Sequence, residues 1–296
     1  MSSLQSSVLP CKDKYFRSLL TAPKIAWPTI GLLVFAIAIM VSASVLAIGD
    51  QIPLWVAALA NGFAMYNLFS VAHDGTHRSL SSNKALNEIL GRIAIMMFMP
   101  VAPFEAVRWV HMQHHRFTNS ALDPDRSIHR AAWWQIPFVW SSSDIYYLIY
   151  FLRHGDEQVG KNLRALLTYT AVFVTLVVVL IGLGYGLEVL FLWFLASRVG
   201  LFLIACVFVY LPHYPGDISA QEDVYKATTI RKGWEWLLNP LLVYQNYHLI
   251  HHLYPTAPFY TYQKIWHLKY DELVSHDPAV QTPFGLQPVN IPVQAH

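Results

Sequence analysis

Charge is what this sequence has least of. Asp, Glu, Lys and Arg make up 13% of its 296 residues, about half the ~25% of a typical soluble domain. Neither sign dominates, since 20 Lys and Arg stand against 18 Asp and Glu. A net charge of +2 gives no electrostatic footprint for a nucleic acid or another polyanion. Cysteine is nearly absent as well. Cys11 and Cys206 cannot build a disulfide framework, and neither has the C-x-x-C partner of a zinc or redox motif. With 55% hydrophobic residues, the chain reads neither as disordered nor as an ordinary cytosolic enzyme. What it has in plenty is long apolar runs and histidine, of which there are 14.

A membrane-spanning helix needs roughly 20 mostly apolar residues. Four windows qualify: 27–48, 53–72, 166–183 and 189–211. Residues 49–52 join the first pair and 184–188 the second, which predicts four transmembrane helices in two antiparallel hairpins. The segment before the first window is polar, with Lys12, Lys14, Arg17 and Lys24, and the run after it is longer than a signal-peptide core. Two hairpins put both tight turns on one side of the membrane and residues 1–26, 73–165 and 212–296 on the other. The cations agree with this: neither turn holds a Lys or Arg, nineteen of the 20 lie in the three large segments, and Arg198 lies inside the fourth window. The positive-inside rule assigns the large segments and both termini to the cytoplasm. A soluble bundle of buried hairpins would not explain the cation-free turns. The expected fold is therefore an all-α integral membrane protein, a single domain over 1–296 with a cytoplasmic histidine-rich cap and interfacial helices.

Two stretches are expected at the membrane surface. Residues 90–101 are apolar but too short to span, which reads as a re-entrant or surface segment. Residues 133–151 carry Trp133, Trp134, Trp140, Tyr146, Tyr147, Tyr150 and Phe151, which with Trp234 and Trp236 read as an aromatic belt. Arg198, near the middle of a span, costs at least ~2.5–3.5 kcal/mol without a partner. Pairing with carbonyls or hydroxyls of neighbouring helices is its expected role, ahead of a polar feature at the end of a substrate tunnel.

The histidines are clustered. His73 and His77 stand four apart in HDGTH, His111, His114 and His115 form HMQHH, and His248, His251 and His252 form HLIHH. On a helix, positions i, i+3 and i+4 share a face, so each cluster aims its imidazoles at one spot. At 1.5 Å per residue the second span leaves the ~30 Å apolar core near His73. The fourth delivers His213, and then the last cluster, to the same side. Eight or nine imidazoles exceed one tetrahedral metal and fit two metals with four or five nitrogens each. Nitrogen ligands admit iron, zinc, copper or nickel. The lack of thiolate in any cluster argues against Cys-ligated zinc and iron–sulfur sites. Asp74, Asp123 and Asp125 are candidates to accept the outer N–H of a ligating imidazole, with a cap or turn role for 123–125 equally open. His129, His154, His267, His276 and His296 read as solvated or interfacial. An intramembrane zinc protease would need H-E-x-x-H, and Asp74 stands where its Glu would be. A metal transporter would place ligands at mid-depth, whereas these sit at the membrane edge.

The motifs HDGTH at 73–77, VHMQHHRFTN at 110–119, DPD at 123–125, YLPH at 210–213 and QNYHLIHHLYP at 245–255 resemble the membrane fatty acid desaturase and hydroxylase superfamily, which is marked by three histidine boxes. The flanking pieces are most similar to cyanobacterial-type β-carotene hydroxylases. The resemblance implies a di-iron centre that activates O2 and attacks an unactivated C–H bond. It also implies electrons from an external ferredoxin- or cytochrome-type donor. The implied ligands are His73, His77, His111, His114, His115, His248, His251 and His252, with His213 as a ninth and Asn246 placed to hydrogen-bond a metal-bound water. Carotenoid ring hydroxylation is the expected reaction. Fatty acyl desaturation or hydroxylation is the alternative, because the boxes do not separate these outcomes. The chemistry is consistent: a C–H bond in a long apolar substrate offers no group to polarise, so the metal must carry the oxidation. A site at the edge of a bacterial inner or thylakoid-type membrane can take substrate from the bilayer and electrons from the cytoplasm. Arg126, Arg130, Lys264 and Lys269 lie on that side and are candidates to meet an acidic carrier, a solvated or lipid-facing role being the plainer reading.

Overall fold

The computed structural model describes residues 14–289, so Cys11, Lys12 and His296 lie outside the described residues. Residues 14–20 are helical, and the long helices α1 (Trp27–Ile48) and α2 (Leu54–His77) follow. They are followed by α3 (Lys84–Phe98), α4 (Phe104–Phe117), α5 (Arg126–His129), α6 (Ile136–Ser141) and α7 (Ser143–His154). Two more long helices, α8 (Glu157–Gly182) and α9 (Gly186–His213), complete a set of four with the length and apolar character to cross a membrane. Within α9, residues Val189–Leu195 and Ala205–Tyr210 are wound as π-helix.

Three of these helices outrun the predicted windows, α9 by three residues at its start and two at its end, and α2 and α8 by more, for local reasons. Nothing in HDGTH breaks a helix, so α2 continues through the first histidine box until Arg78 turns left-handed at φ 57°. The polar stretch before residue 166 is helical too, with Lys161 Nζ 2.6 Å from Glu157 Oε1 one turn away. It therefore adds the first turns of α8.

Close packing of α2 on α9 is what positions the site. A Cβ on Gly62 would fall 2.6 Å from the Val199 side chain, and one on Gly200 would fall 2.9 Å from Met65 Cβ. Small residues let helix backbones approach where lipid offers no hydrophobic drive for association. Asn61 Nδ2 donates to Ser44 Oγ at 3.1 Å and to the Leu192 carbonyl at 2.9 Å, tying α1, α2 and α9 together. The ends of α2 and α9 that carry His73, His77 and His213 are thereby held side by side. Helix α8 is the contrast. No residue of its most apolar window is buried, and its ring contact to α9 is Phe173 on Trp193 at 4.4 Å.

The remaining helices cover the histidine end. Helix α3 buries Asn87, Gly91, Ala94, Ile95 and Phe98 and leaves Ile89, Ile93 and Met96 exposed, so the apolar stretch expected at the surface is one face of an amphipathic helix. The aromatic stretch divides: Trp133 and Trp134 are exposed, whereas Trp140 and Phe151 are buried. After α9 come α10 (Glu235–Leu241), α11 (His248–Leu253) and α12 (Tyr262–Leu268), with Tyr247, Tyr262 and Trp266 fully buried among them. The all-α expectation needs one correction. Strands β1 (Thr229–Arg231) and β2 (Ala279–Gln281) pair in parallel. The buried Arg231 holds this edge closed by donating to Gln281 Oε1 at 2.6 Å and the Gly285 carbonyl at 2.6 Å.

Arg198 has its partner. Its guanidinium makes a two-pronged pair with Asp144, at 3.0 and 2.7 Å, and donates to the Ser141 carbonyl at 3.0 Å. The expected carbonyl is there, but the main partner is a carboxylate that the sequence reading does not name.

Candidate metal centre

All nine candidate histidines converge. The donor atoms of His73, His77, His111 and His251 lie within 4.8 Å of one another, and so do those of His114, His213, His248 and His252. His115 joins the two groups through a third set with His251 and His252. Closest approaches between ring nitrogens are 2.7 Å for His77–His111, 2.9 Å for His115–His251, 3.0 Å for His248–His252 and 3.1 Å for His73–His251, all Nε2 to Nε2.

The inward turn of Nε2 is fixed from behind. His251 Nδ1 lies 2.9 Å from the Tyr262 hydroxyl, and His248 Nδ1 lies 2.6 Å from Gln245 Oε1. His213 Nδ1 is 2.7 Å from the Val209 carbonyl, and His252 Nδ1 is 3.4 Å from Thr118 Oγ1. His114 Nδ1 is held by Asp123 Oδ1 at 3.0 Å and Asp125 Oδ2 at 3.2 Å. A partner on one ring nitrogen sets the tautomer and leaves the other free for a metal. Sequence reasoning misses Tyr262, Gln245 and Thr118. Gln245 stands three residues before His248, and that spacing is the one local signal that points to it.

Electrostatics favour a cation. Burial first, and then neighbouring imidazoles, hold His111, His115, His248, His251 and His252 well below the ordinary histidine range, so these rings offer neutral lone pairs. His114 differs. Burial lowers it too, but the Asp125 and Asp123 carboxylates outweigh that and carry it up to about 9. His114 in turn holds Asp123 below the usual carboxylate range against its own burial, while burial pushes Asp125 up to about 6.

His213 Nε2 is buried with no hydrogen-bond partner among the described residues, while its ring faces those of His114 and His248 at 4.7 and 4.8 Å. An unpaired buried nitrogen costs ~1–3 kcal/mol, and a bound cation removes that cost. The donor set therefore fits two first-row metals held by imidazole nitrogen. Replacing His213 by alanine is expected to lower metal content in its group and to abolish activity. Full metal content with wild-type turnover would remove His213 from the set.

Two candidates make side-chain hydrogen bonds to groups other than the rings. Asp74 Oδ2 accepts from Thr29 Oγ1 at 2.8 Å, tying α2 to α1 rather than orienting a histidine. Asn246 Nδ2 donates to Asn239 Oδ1 at 2.9 Å. His129, expected at the solvent or interface, is buried. Of the candidate docking cations, Arg130 donates to the Gly216 carbonyl at 3.1 Å and Lys269 to Glu272 at 2.7 Å.

A helical chain with four membrane-length apolar helices and nine imidazoles gathered at their ends has the build of a membrane metalloprotein. Its relationships are more specific. The chain belongs to the fatty acid desaturase family, whose model matches residues 50–284. It is similar to the chloroplastic omega-6 fatty acid desaturase of Glycine max, 36% identical over 89 residues, covering 27% of this chain and 20% of the relative. It also matches the sn-1 oleoyl-lipid 12-desaturase of Anabaena variabilis, 34% identical over 84 residues, with 28% and 23% covered. A longer match, 24% identical over 243 residues with 70% and 53% covered, is to the chloroplastic sn-2 acyl-lipid omega-3 desaturase (ferredoxin) of Helianthus annuus. The matched parts thus span between about a fifth and a half of these relatives. These relatives are fatty acid and acyl-lipid desaturases, not the carotene hydroxylases expected from the flanking motifs.

Proposed function

We propose that the protein is a membrane oxidoreductase with two irons, using O2 and externally supplied electrons to oxidise an unactivated C–H bond of a long hydrophobic substrate. The substrate favoured is a fatty acyl chain, and the reaction its desaturation. The observation that carries this reading is the pair of four-histidine groups joined through His115, in a chain whose relatives include acyl-lipid desaturases. His73, His77, His111 and His251 would hold one iron, and His114, His213, His248 and His252 the other, with His115 between them. Bound iron supplies the one-electron and O2 chemistry that no side chain can perform on a saturated carbon.

The chain's own residues do the rest. Tyr262, Gln245, Thr118, Asp123 and Asp125 keep the imidazoles turned inward. Phe69 and Phe208 pack their rings 6.1 and 5.5 Å from His73, giving the centre an apolar flank suited to a hydrocarbon. In this reading the histidine cap and both termini face the cytoplasm, as the placement of the cations supports, and 1–296 works as one domain. Electrons then come from a soluble carrier on that side.

Carotenoid ring hydroxylation is the second reading, favoured by the sequences flanking the three boxes. Expression in cells that accumulate β-carotene, with carotenoids and fatty acids profiled together, separates the two. A new acyl double bond with carotenoids unchanged is expected. A new hydroxycarotenoid with fatty acids unchanged would replace acyl desaturation by the second reading. No change in either, with purified protein free of iron, would overturn the oxidoreductase proposal.

A further inference from the structure

The aromatic residues of 133–151 do not act as one group. Trp133, Trp134 and Phe138 are exposed. Trp140, Tyr147 and Tyr150 instead place their polar tips on a single stretch, 122–128. Trp140 Nε1 donates to the Ile128 carbonyl at 3.1 Å, and the Tyr150 hydroxyl donates to the Leu122 carbonyl at 3.0 Å. Between them the Tyr147 hydroxyl is hydrogen-bonded to the Asp125 carboxylate. The three points held, 122, 125 and 128, are evenly spaced. The stretch they hold carries Asp123 and Asp125, whose oxygens lie 3.0 and 3.2 Å from His114 Nδ1.

The clamp is itself fastened. Asp144, one turn before Tyr147 on α7, takes the two-pronged pair from Arg198 of α9. Arg198 also reaches the carbonyl of Ser141, the last residue of α6. A bidentate guanidinium–carboxylate pair fixes direction as well as distance, and residues three apart share a helix face. One side of α7 therefore bears both Asp144 and Tyr147. Ile145, Leu148, Ile149 and Leu152 are exposed and leave α7 apolar on its outer side.

We infer that Trp140, Tyr147 and Tyr150 are positioning residues of the metal centre, locked to α9 by Arg198–Asp144. They hold the Asp123–Asp125 carboxylates on His114 and so aim its Nε2 into the second histidine group. The inference rests on the reading of His114 as a ligand. It also explains the intramembrane arginine, which sets the α7 register from which Tyr147 reaches Asp125. Outer hydrogen-bond partners of ligating histidines are worth about 10–100-fold in metal affinity, and Tyr147, acting one contact further out through Asp125, is assigned the lower end of that range.

The test uses the full chain in detergent, freed of metal and titrated anaerobically with ⁵⁷Fe(II), with iron content and Mössbauer spectra recorded. Wild type is expected to bind two irons in two environments. Tyr147→Phe should weaken one iron by about tenfold and alter its signal alone. The other signal and the unfolding temperature of the metal-free protein should not change. Tyr146→Phe, on the exposed neighbour, should behave as wild type. If Tyr147→Phe does not fold, Tyr150→Phe and the swap Asp144→Arg/Arg198→Asp carry the test. The first, and each single change of the pair, should weaken the same iron, and the swap should restore it. Wild-type affinity and spectra in these variants would overturn the inference while leaving the two-iron reading intact. Equal loss of both irons would overturn it too, since that marks a general structural defect. A wild-type protein that binds no iron would overturn the ligand reading beneath it.

Discussion

Changing His251 to alanine is expected to remove the iron of its own group, to loosen the His115 link to the other group, and to reduce turnover by more than about 100-fold, beyond the usual penalty for losing an outer partner. The reason is its place in the geometry. His251 belongs to the set with His73, His77 and His111 and also to the set with His115 and His252. Its Nε2 lies 3.1 Å from that of His73 and 2.9 Å from that of His115, so one ring closes two polygons of donors. Alanine leaves the remaining nitrogens buried and facing a gap, each costing ~1–3 kcal/mol when unpaired. The Tyr262 hydroxyl behind it also loses its partner. Iron content by elemental analysis and product formation in membranes measure the effect. Tyr262→Phe provides the scale, since it removes only the outer hydrogen bond and should cost about 10–100-fold in iron affinity. A His251→Ala protein that still holds two irons would show that His251 is not needed to hold the iron of its group.

What can be read from the sequence follows from what is local. The histidine boxes are legible because i, i+3 and i+4 meet on a helix face whatever the tertiary context. The apolar windows place all three boxes and His213 near one another before any packing is known. Asp74 misleads for the same local reason. One residue after His73 on a helix points about 100° away, and it meets Thr29 of α1 instead. Thr118 and Tyr262 are illegible because their partners lie 134 and 11 residues away, and a neutral hydroxyl carries no compositional signal. Tyr147 and Trp140 read as membrane belt because an aromatic near an apolar run looks the same by hydropathy whether its polar tip meets water or a carbonyl. The short β1–β2 pairing escapes notice because three-residue strands are too brief to show alternation.

Acid should unfold the metal-free protein, and iron should postpone it. In an unfolded chain histidines titrate near ~6.5. In the folded chain, burial and then neighbouring imidazoles hold His111, His115, His248, His251 and His252 well below that. A depressed folded pKa means that below pH ~6.5 the unfolded state binds protons the folded state refuses. Stability then falls by up to about 1.4 kcal/mol per pH unit for each such histidine. His114 has the opposite sign. Carried up to about 9 by Asp125 and Asp123 against the effect of burial, it contributes stability that is complete below ~6.5 and lost as pH rises through about 9. Asp125, pushed up to about 6 by burial, takes its proton in the folded state first and offsets part of the loss below that pH. Five groups outweigh two, so the unfolding temperature of metal-free protein in detergent is expected to drop steadily from pH 7 to pH 5. Bound iron would change the balance by taking up the same lone pairs and releasing the His114 proton, which would couple binding to proton release. Iron-loaded protein should therefore keep its unfolding temperature to lower pH, and then lose metal and fold together. An unfolding temperature flat between pH 7 and pH 5 without metal would mean that the imidazoles are not held neutral in the fold, and the case for a preformed cation site would fall with it.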